Sequence, residues 1–244
     1  MPGTNITPMN TIQRLLSLLT LAAATQATAA LESAKLDPNN VMPRFPIPMQ
    51  VAGITRGTVV VATSIGVEGK ITDSLVLGYT NESLVAPTLA AMKQWNVTPA
   101  RYDGEAVPVQ VVYTFDFTLK GAVISANAVN HFFFDGFERM GDGSFAYRIH
   151  TSREIDRAPA LISSVKPKFA TEAEKQGIRG KVQVDFYIDE NGNVRMPATN
   201  AEAHPYLTEQ AVAAVKEWKF SPPTYRGQPV IVAASQEFDF SASK

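Results

Sequence analysis

The chain has 244 residues, of which 45% are hydrophobic and 18% charged, and its formal net charge at pH 7 is −1. This composition is typical of globular proteins, and the length suffices for one large domain or two small ones. The dispersed, nearly neutral charge gives no electrostatic reason to expect nucleic acid or an anionic membrane surface as a partner. Cysteine is absent, which excludes disulfides, thiolate metal sites, a cysteine nucleophile and a lipid-modified N-terminal cysteine.

The N-terminus carries a short apolar segment. Arg14 precedes an apolar run from Leu15 to Ala24, and Ala27-Thr28-Ala29 matches the A-x-A pattern of signal-peptide cleavage. The run is well short of the ~20 apolar residues that a bilayer-spanning helix needs. The sequence therefore predicts a signal peptide over residues 1–29, processed between about Thr28 and Leu31. Everything after it is then the mature protein.

Punctuating residues recur at a fixed offset in the mature chain. Five pairs of identical residues lie 123 positions apart: Gly57 and Gly180, Gly69 and Gly192, Trp95 and Trp218, Pro99 and Pro222, and Gly104 and Gly227. Such a constant offset predicts a tandem duplication. After Gly104 we expect the offset to change by two residues, because Glu105-Ala106-Val107-Pro108 faces the shorter Gln228-Pro229.

The first copy predicts a strand, a turn, a second strand, a helix and a last strand. Val59, Val61, Thr63 and Ile65 alternate as in a half-buried strand, and Gly66 and Gly69 mark the following turn. The return strand is expected at about 70–77. Leu84, Met92 and Trp95 then trace one helical face, with Pro87 in the first turn where proline is tolerated. The last strand is predicted over 107–117.

The second copy repeats this order more clearly. Apolar residues alternate from Val182 to Ile188 with Lys181, Gln183, Asp185 and Tyr187, which predicts a strand with one wet face. A glycine turn at 189–193 and a return strand at 194–199 follow. The face formed by Leu207, Ala211, Ala214, Val215 and Trp218 predicts a helix, and the last strand is expected over 229–240. A short leading helix is expected at 170–176.

The motifs of the second copy resemble the C-terminal domain of TonB proteins along its whole length. They are Lys168-Phe169, Gly180-x-Val182-x-Val184-x-Phe186-x-Ile188-Asp189-x-x-Gly192-x-Val194, Ala213-Ala214-Val215-x-x-Trp218-x-Phe220-x-Pro222, Gly227-x-Pro229-Val230 and Phe238-x-Phe240. The first copy, from Phe45-Pro46 to Phe117, is similar but looser, since it lacks the turn aspartate and has Val97 where an aromatic residue is usual.

This resemblance implies an α+β fold of two small domains, each a short antiparallel sheet with two helices on one face. We expect the first domain at 40–118 and the second at 161–241. Each tryptophan is expected to anchor the long helix against its sheet. Replacing Trp218 by alanine should then largely unfold the second domain and leave the first, whose core is expected to be separate.

The connecting segment, 119–160, belongs to neither predicted domain. It contains an aromatic cluster, His131 to Phe137, and a predicted strand, Phe145 to Ile149. A disordered linker would not carry so many aromatic residues. The aromatic side chains are expected either to pack between the two domains or to form a surface for a partner.

No residue set indicates catalysis or a bound cofactor. His131, His150 and His204 are isolated and lack the spacing of metal ligands. The segment Asp189 to Asn193 superficially suggests a calcium loop, but its glycine is at the fourth position rather than the sixth, so a hairpin turn is favoured. We therefore expect no enzyme, no metal, no cofactor and no small-molecule substrate.

By resemblance, the expected function is that of a periplasmic protein–protein interaction module that binds an extended peptide by strand addition. The partner is expected in the cell envelope, for example a peptide of an outer-membrane receptor. The candidate edge is the last strand of the second copy: Val230, Ile231, Val232, Ala233, Ala234, Ser235, Gln236, Glu237 and Phe238. Proline at Val232 or Ala234 is expected to distinguish an N–H that binds the partner from one that holds the sheet.

Two alternatives remain open from the sequence. In one, residues 15–30 stay as an inner-membrane anchor and the chain is a TonB-like energy transducer for outer-membrane transport. In the other, the two copies pair their own edges, or two chains form a dimer, and no strand is left free for a partner.

Overall fold

The computed structural model of the protein describes residues 31–102, 104–128, 145–168, 175, 177–199 and 204–241. The predicted signal peptide, the aromatic cluster at 131–137 and most of the predicted helix at 170–176 lie outside the described residues. In this part of the chain the fold is α+β, with short helices and mainly antiparallel sheets, as predicted.

The first copy contains two helices, α1 (Ile47–Val51) and α2 (Val85–Met92). A 3-10 turn at Glu82–Leu84 leads into α2, and the side chain of Asn81 caps it by accepting the Ser83 N–H at 2.9 Å. The strands of this half are β1 (Leu31–Glu32), β2 (Lys35–Leu36), β3 (Arg56–Ile65), β4 (Ile71–Tyr79), β5 (Val97–Thr98), β6 (Ala100–Tyr102), β7 (Glu105–Val107), β8 (Val109–Thr118) and β9 (Gly121–Ala128).

The second copy is built around one long helix, α3 (Pro205–Lys216). Pro205 stands at its first position, where the missing N–H costs nothing, and His204 precedes it as the N-cap. The remaining strands are β10 (Tyr147–Arg148), β11 (Leu161–Ser163), β12 (Lys181–Ile188), β13 (Val194–Thr199), β14 (Lys219–Phe220), β15 (Thr224–Tyr225), β16 (Gln228–Pro229) and β17 (Val232–Asp239).

The main sheets of the two copies share a central hairpin and a last strand but differ at both edges. The first sheet has the order β10-β4-β3-β8-β9, and the second has the order β13-β12-β17. Strand β9, which lies in the expected connecting segment, pairs with β8 over its whole length. The first sheet is therefore extended at both edges by residues that follow the first copy in sequence.

The offset of 123 persists through the last strand, so the expected two-residue change after Gly104 is wrong. Val59 faces Phe115 in the first sheet, and Val182 faces Phe238 in the second. Each residue of the first pair is thus 123 positions from its counterpart in the second pair. The short strand pairs β6–β7 and β15–β16 contain the sequence differences around Gly104 and Gly227. These differences do not shift the register of the last strands.

The turn glycines Gly69 and Gly192 are needed because the chain passes close to their α-carbons. Both have positive φ, and a Cβ would lie 1.8 Å from the Val97 carbonyl oxygen or 2.0 Å from that of Phe220. The same neighbours donate hydrogen bonds, Val97 N–H to the Gly69 oxygen at 3.1 Å and Phe220 N–H to the Gly192 oxygen at 2.9 Å. In each copy the turn is therefore fixed against the segment that follows the tryptophan.

The turn at 189–193 is a hairpin turn. The Asp189 carboxylate accepts the backbone N–H groups of Asn191 and Asn193 at 2.9 and 2.8 Å, and the Asn193 side chain at 3.0 Å. These bonds occupy the oxygens that a cation would need. The aspartate is a local turn residue.

The two tryptophans are not equivalent, which corrects the expectation for Trp218. Trp95 is 2% exposed and belongs to the first core, whereas Trp218 is half-buried at the margin of the second core. The indole N–H groups keep parallel roles, since each donates to a backbone oxygen at 2.8 Å, that of Val41 or that of Val165. The burial expected of a tryptophan that anchors a helix is complete only for Trp95.

The copies pack their sheets face to face through a shared core. Its buried members are Val60, Ala62, Leu75, Leu77 and Val112 from the first sheet, Tyr187, Met196, Ile231 and Ala233 from the second, and Ile149 from the connecting segment. The face of β12 that was predicted to be solvent-exposed is therefore buried at its end, where Tyr187 is 4% exposed. This burial raises the pKa of the Tyr187 hydroxyl. The expectation that the two copies have separate cores is therefore wrong, because the sheet of each copy covers the open face of the other sheet.

The connecting segment ties the copies together at their edges. Strand β10 pairs antiparallel with β4, and the Ile149 N–H donates to the Leu77 oxygen at 2.7 Å. The next residue, His150, bridges to the second sheet instead. The described aromatic residues Phe145 and Tyr147 lie between the sheets, and burial raises the pKa of Tyr147 to about 12. For these residues, packing between the copies is the alternative that the structure supports.

We expect part of the stability to be lost in acid through Glu154. Hydrogen bonds from Arg148, and then from the Thr151 N–H, lower the pKa of Glu154 from 4.5 to about 2. Since the folded pKa is depressed, the stabilisation is complete above pH 4.5 and disappears as the pH falls towards 2. Its size is about 1 kcal/mol, because the pair is partly exposed and screened.

The measurement is urea unfolding of the protein and of Glu154→Gln at pH 7 and pH 3. The variant should be less stable at pH 7, and the difference should shrink at pH 3. A difference that is independent of pH would contradict the assignment.

Candidate functional site

The predicted edge, Val230 to Phe238, lies mostly in β17, at one side of the second sheet. Along β17 the side chains alternate between the helix-covered face and the opposite face. Val230, Ile231, Val232 and Ala233 are buried, Ala234, Gln236 and Phe238 are half-buried, and Ser235 and Glu237 are exposed. The first half of the predicted edge is thus part of the protein interior, and only the second half reaches the surface.

The direction of each N–H group in β17 follows from two hydrogen bonds. The Phe240 N–H donates to the Gly180 oxygen at 2.9 Å, towards β12, and the register with β12 continues without a shift to Val232. In an antiparallel ladder every second N–H points to the same neighbour. The even-numbered residues from Val232 to Phe238 therefore donate to β12, and Ser235, Glu237 and Asp239 direct their N–H groups outward.

The expectation for proline at Val232 or Ala234 is wrong for this reason. The two residues are two positions apart, so both N–H groups point towards β12. Proline at either position would remove a bond of the sheet itself. To distinguish an N–H that holds the sheet from one that points outward, one even-numbered and one odd-numbered residue are needed, such as Gln236 and Glu237.

The connecting segment already occupies the beginning of this edge. The His150 N–H donates to the Ile231 oxygen at 2.9 Å, and the Ala233 N–H donates to the His150 oxygen at 3.3 Å. The His150 ring stacks on Tyr225 with 4.3 Å between the ring centroids. Burial of the ring lowers the pKa of His150. Sequence reasoning missed this role, because the isolated histidine gave no signal of a backbone contact.

The rest of the edge, from Ala234 to Asp239, has no strand beside it among the described residues. We call this stretch the open edge. The corresponding edge of the first copy, on β8, is covered by β9. Of the two copies, then, only the second presents backbone donors and acceptors of its last strand to the surroundings within the described part of the chain.

A groove of about 320 Å³ runs beside the open edge on the helix-covered side. Its walls are the aromatic residues Trp218 and Phe238 and the segment Ser164 to Pro167. The Trp218 and Phe238 rings meet at 5.6 Å between centroids, and the Trp218 N–H holds Val165 in place. Sequence reasoning took Trp218 for a core residue and missed that it forms a surface groove.

The opposite side of the open edge is polar. Glu237 and Asp239 are exposed there, and Lys181 forms a salt bridge to Glu237 at 2.8 Å. Hydrogen bonds from Ser241 lower the pKa of Asp239. The open edge is thus flanked on this side by the carboxylates of Glu237 and Asp239.

The described residues contain no group of three or more histidine, cysteine or acidic side chains that could hold a metal ion. None of the helices in the described part of the chain combines the length and apolarity needed to cross a lipid bilayer. The arrangement at β17 is instead suited to backbone pairing, with an apolar groove on one side and charged groups on the other.

Comparison with known proteins agrees with this architecture. The Gram-negative bacterial TonB protein C-terminal family matches the chain twice, over residues 41–119 and 165–242. Protein TonB of Vibrio cholerae serotype O1 is 36% identical over 74 residues, which are 30% of this chain and 30% of that protein. The chain thus spans less than a third of the length of this curated relative. Because the two family matches together cover more than half of its residues, the chain belongs to the Gram-negative bacterial TonB protein C-terminal family.

Proposed function

We propose that the protein is an interaction module of the bacterial cell envelope, acting in the periplasm, whose second copy binds an extended peptide along the open edge. The observation that carries the proposal is the row of outward backbone groups at Ser235, Glu237 and Asp239, with no described strand beside them. Exposed strand edges bind extended peptides because each added residue completes hydrogen bonds that the edge leaves to water.

The difference between the copies supports this assignment of roles. The first copy has its last strand covered by β9 and its hairpin edge covered by β10, so its function in this proposal is structural. It closes the face of the second sheet through the shared core and pairs with the part of the connecting segment that directly precedes His150. In this proposal the second copy binds the partner, and the first copy supports the second.

The partner in this proposal is a protein segment, such as a peptide of an outer-membrane receptor. The placement in the envelope rests on family membership and on the similarity to Protein TonB. The proposed activity is binding without a reaction.

We expect Glu237→Pro to abolish peptide binding while the protein stays folded. The Glu237 N–H points outward, so proline removes a donor to the partner and leaves the bonds to β12 intact. Peptides selected on the protein from a random library should lose about tenfold or more of their affinity. The measurement is fluorescence anisotropy of labelled peptides, with circular dichroism to check folding.

Two matched variants control this experiment. Glu237→Ala removes the same side chain but keeps the N–H, and it should bind almost normally. Gln236→Pro removes an N–H that points to β12, and it should destabilise the second sheet. If Glu237→Ala weakened binding as much as Glu237→Pro, the side chain and not the backbone would carry recognition, and strand addition would be wrong.

A further inference from the structure

His150 ties the connecting segment to the second sheet through its backbone. Its N–H donates to the Ile231 oxygen at 2.9 Å, and its oxygen accepts the Ala233 N–H at 3.3 Å, which makes a short parallel bridge. The preceding residue, Ile149, is buried in the shared core and donates its N–H to the Leu77 oxygen of the first sheet. Two consecutive residues thus hold one sheet each.

The side chain of His150 lies in surroundings that suit a neutral imidazole. The ring stacks on Tyr225, with 4.3 Å between the centroids and 27° between the planes. Its Nδ1 atom is shielded from solvent and has no hydrogen-bond partner among the described residues. An imidazolium carries a proton on both ring nitrogens. A proton on Nδ1 would therefore be buried without an acceptor, which is costly for a charged group.

Two charged side chains of the connecting segment act on His150 in opposite directions. Glu154 favours the protonated ring, and Arg148 favours the neutral ring. The Glu154 carboxylate is already bound by Arg148 and by the Thr151 N–H, at 3.1 and 2.8 Å. Burial of the ring has the larger effect, and it holds the pKa of His150 below its usual value of 6.5.

The other charged groups around the stacked rings do not bind the imidazole. Arg226 lies over the Tyr225 ring, with 5.0 Å between the guanidinium carbon and the ring centroid. The Asp156 carboxylate accepts the backbone N–H groups of Arg226 and Gly227 at 2.8 and 2.9 Å. The residues of the second sheet that face His150, 231–233, are buried and uncharged. A protonated His150 would thus find no hydrogen-bonding partner in this environment.

We propose that His150 is a pH-sensitive latch between the copies, whose neutral side chain holds the connecting segment on the second sheet and whose protonation releases it. Since the folded pKa is lowered, the latched form binds fewer protons than the released form. The latch is therefore complete above pH 6.5, and it weakens as the pH falls below this value. The equilibrium for release should rise by up to about tenfold per pH unit.

Amide hydrogen exchange of the full chain at pH 7 and pH 5 tests the latch. After correction for the intrinsic exchange rate at each pH, protection of the His150 and Ala233 amides should fall about tenfold at pH 5. Amides inside β3 and β12 should keep their protection, because the sheets themselves stay folded. Glu154 remains ionised at pH 5, since its pKa is about 2, and does not contribute to the change.

Two variants show which side chain is responsible. His150→Phe keeps an aromatic ring on Tyr225 and removes the titratable group, so protection of the Ala233 amide should be the same at both pH values. His204→Asn is the matched control. His204 is exposed at the N-cap of α3, where asparagine also caps well, and this variant should still lose protection at pH 5.

An NMR titration of the unsubstituted protein gives the pKa of His150 directly, and the two variants identify its signal. A value of 6.5 or higher would overturn the inference, and so would equal protection of the Ala233 amide at pH 7 and pH 5. Loss of protection in His150→Phe at pH 5 would assign the pH dependence to another group and refute the latch. None of these measurements uses a peptide, so their failure would leave the proposed function standing.

Discussion

Trp95→Ala is expected to lower the free energy of unfolding by about 3–5 kcal/mol, the usual cost of removing a large aromatic side chain from a core. The Trp95 ring lies 5.4 Å from Tyr113 and 5.6 Å from Phe115 between centroids, and its N–H donates to the Val41 oxygen. Alanine leaves a cavity among these rings and an acceptor without its donor. Urea unfolding, followed by far-ultraviolet circular dichroism, measures the change.

The matched control is Trp218→Ala, 123 positions further on. Because Trp218 is half-buried and one side of its ring lines the groove, this variant should lose only about 1–2 kcal/mol. It should weaken peptide binding at the open edge more than it weakens the fold. Equal losses of stability in the two variants would contradict the unequal burial of the two tryptophans.

Leu77→Ala is expected to destabilise both copies together, by about 2–5 kcal/mol. Leu77 is 1% exposed and belongs to the core shared by the two sheets, where Ile231 and Ala233 of the second copy also lie. Its backbone oxygen accepts the Ile149 N–H of the connecting segment. A cavity there should loosen the contact between the sheets as well as the first sheet.

The measurement is urea unfolding combined with amide hydrogen exchange. Exchange should become faster at Val232 and Ala234 in the second copy, not only in the first. Val123→Ala is the control, since Val123 is 65% exposed on β9 and its loss should be nearly neutral. Faster exchange confined to the first copy would show that the two sheets are not energetically coupled.

The elements of each copy were predictable because local chemistry specifies them. Alternation from Val182 to Ile188 predicted β12, and the turn residues around Gly192 predicted the hairpin, whose return strand was expected at 194–199 and observed there. The helix was expected around Leu207 to Trp218 and is observed as Pro205–Lys216. Side-chain periodicity and the positive φ of glycine act within a few residues, so a single sequence carries them.

The last strand of the second copy was predictable, but the arrangement of its edge was not. The last strand of the second copy was identified as the edge, yet the sequence could not show that His150 occupies its beginning or which N–H groups face outward. Hydrogen-bond direction depends on the register with β12, and register is a property of the pair of strands. Strand β9 was missed because its residues were assigned to the connecting segment, although the short turn at Leu119-Lys120 was a local sign of a hairpin.

By itself, the sequence determined that this protein is a tandem duplication of one α+β domain, since residues such as Gly69 and Gly192 have the same local task in each copy. Only the tertiary structure decided how the copies differ: the sheets cover each other's faces, β9 and β10 cover the edges of the first, and part of the second has no strand beside it in the described part of the chain. Alternation shows that one face of a strand is apolar, and it carries no information about which distant surface covers the other face. Tyr187 reads as a wet residue in the sequence and is buried in the fold, because a sheet more than a hundred residues away packs against it.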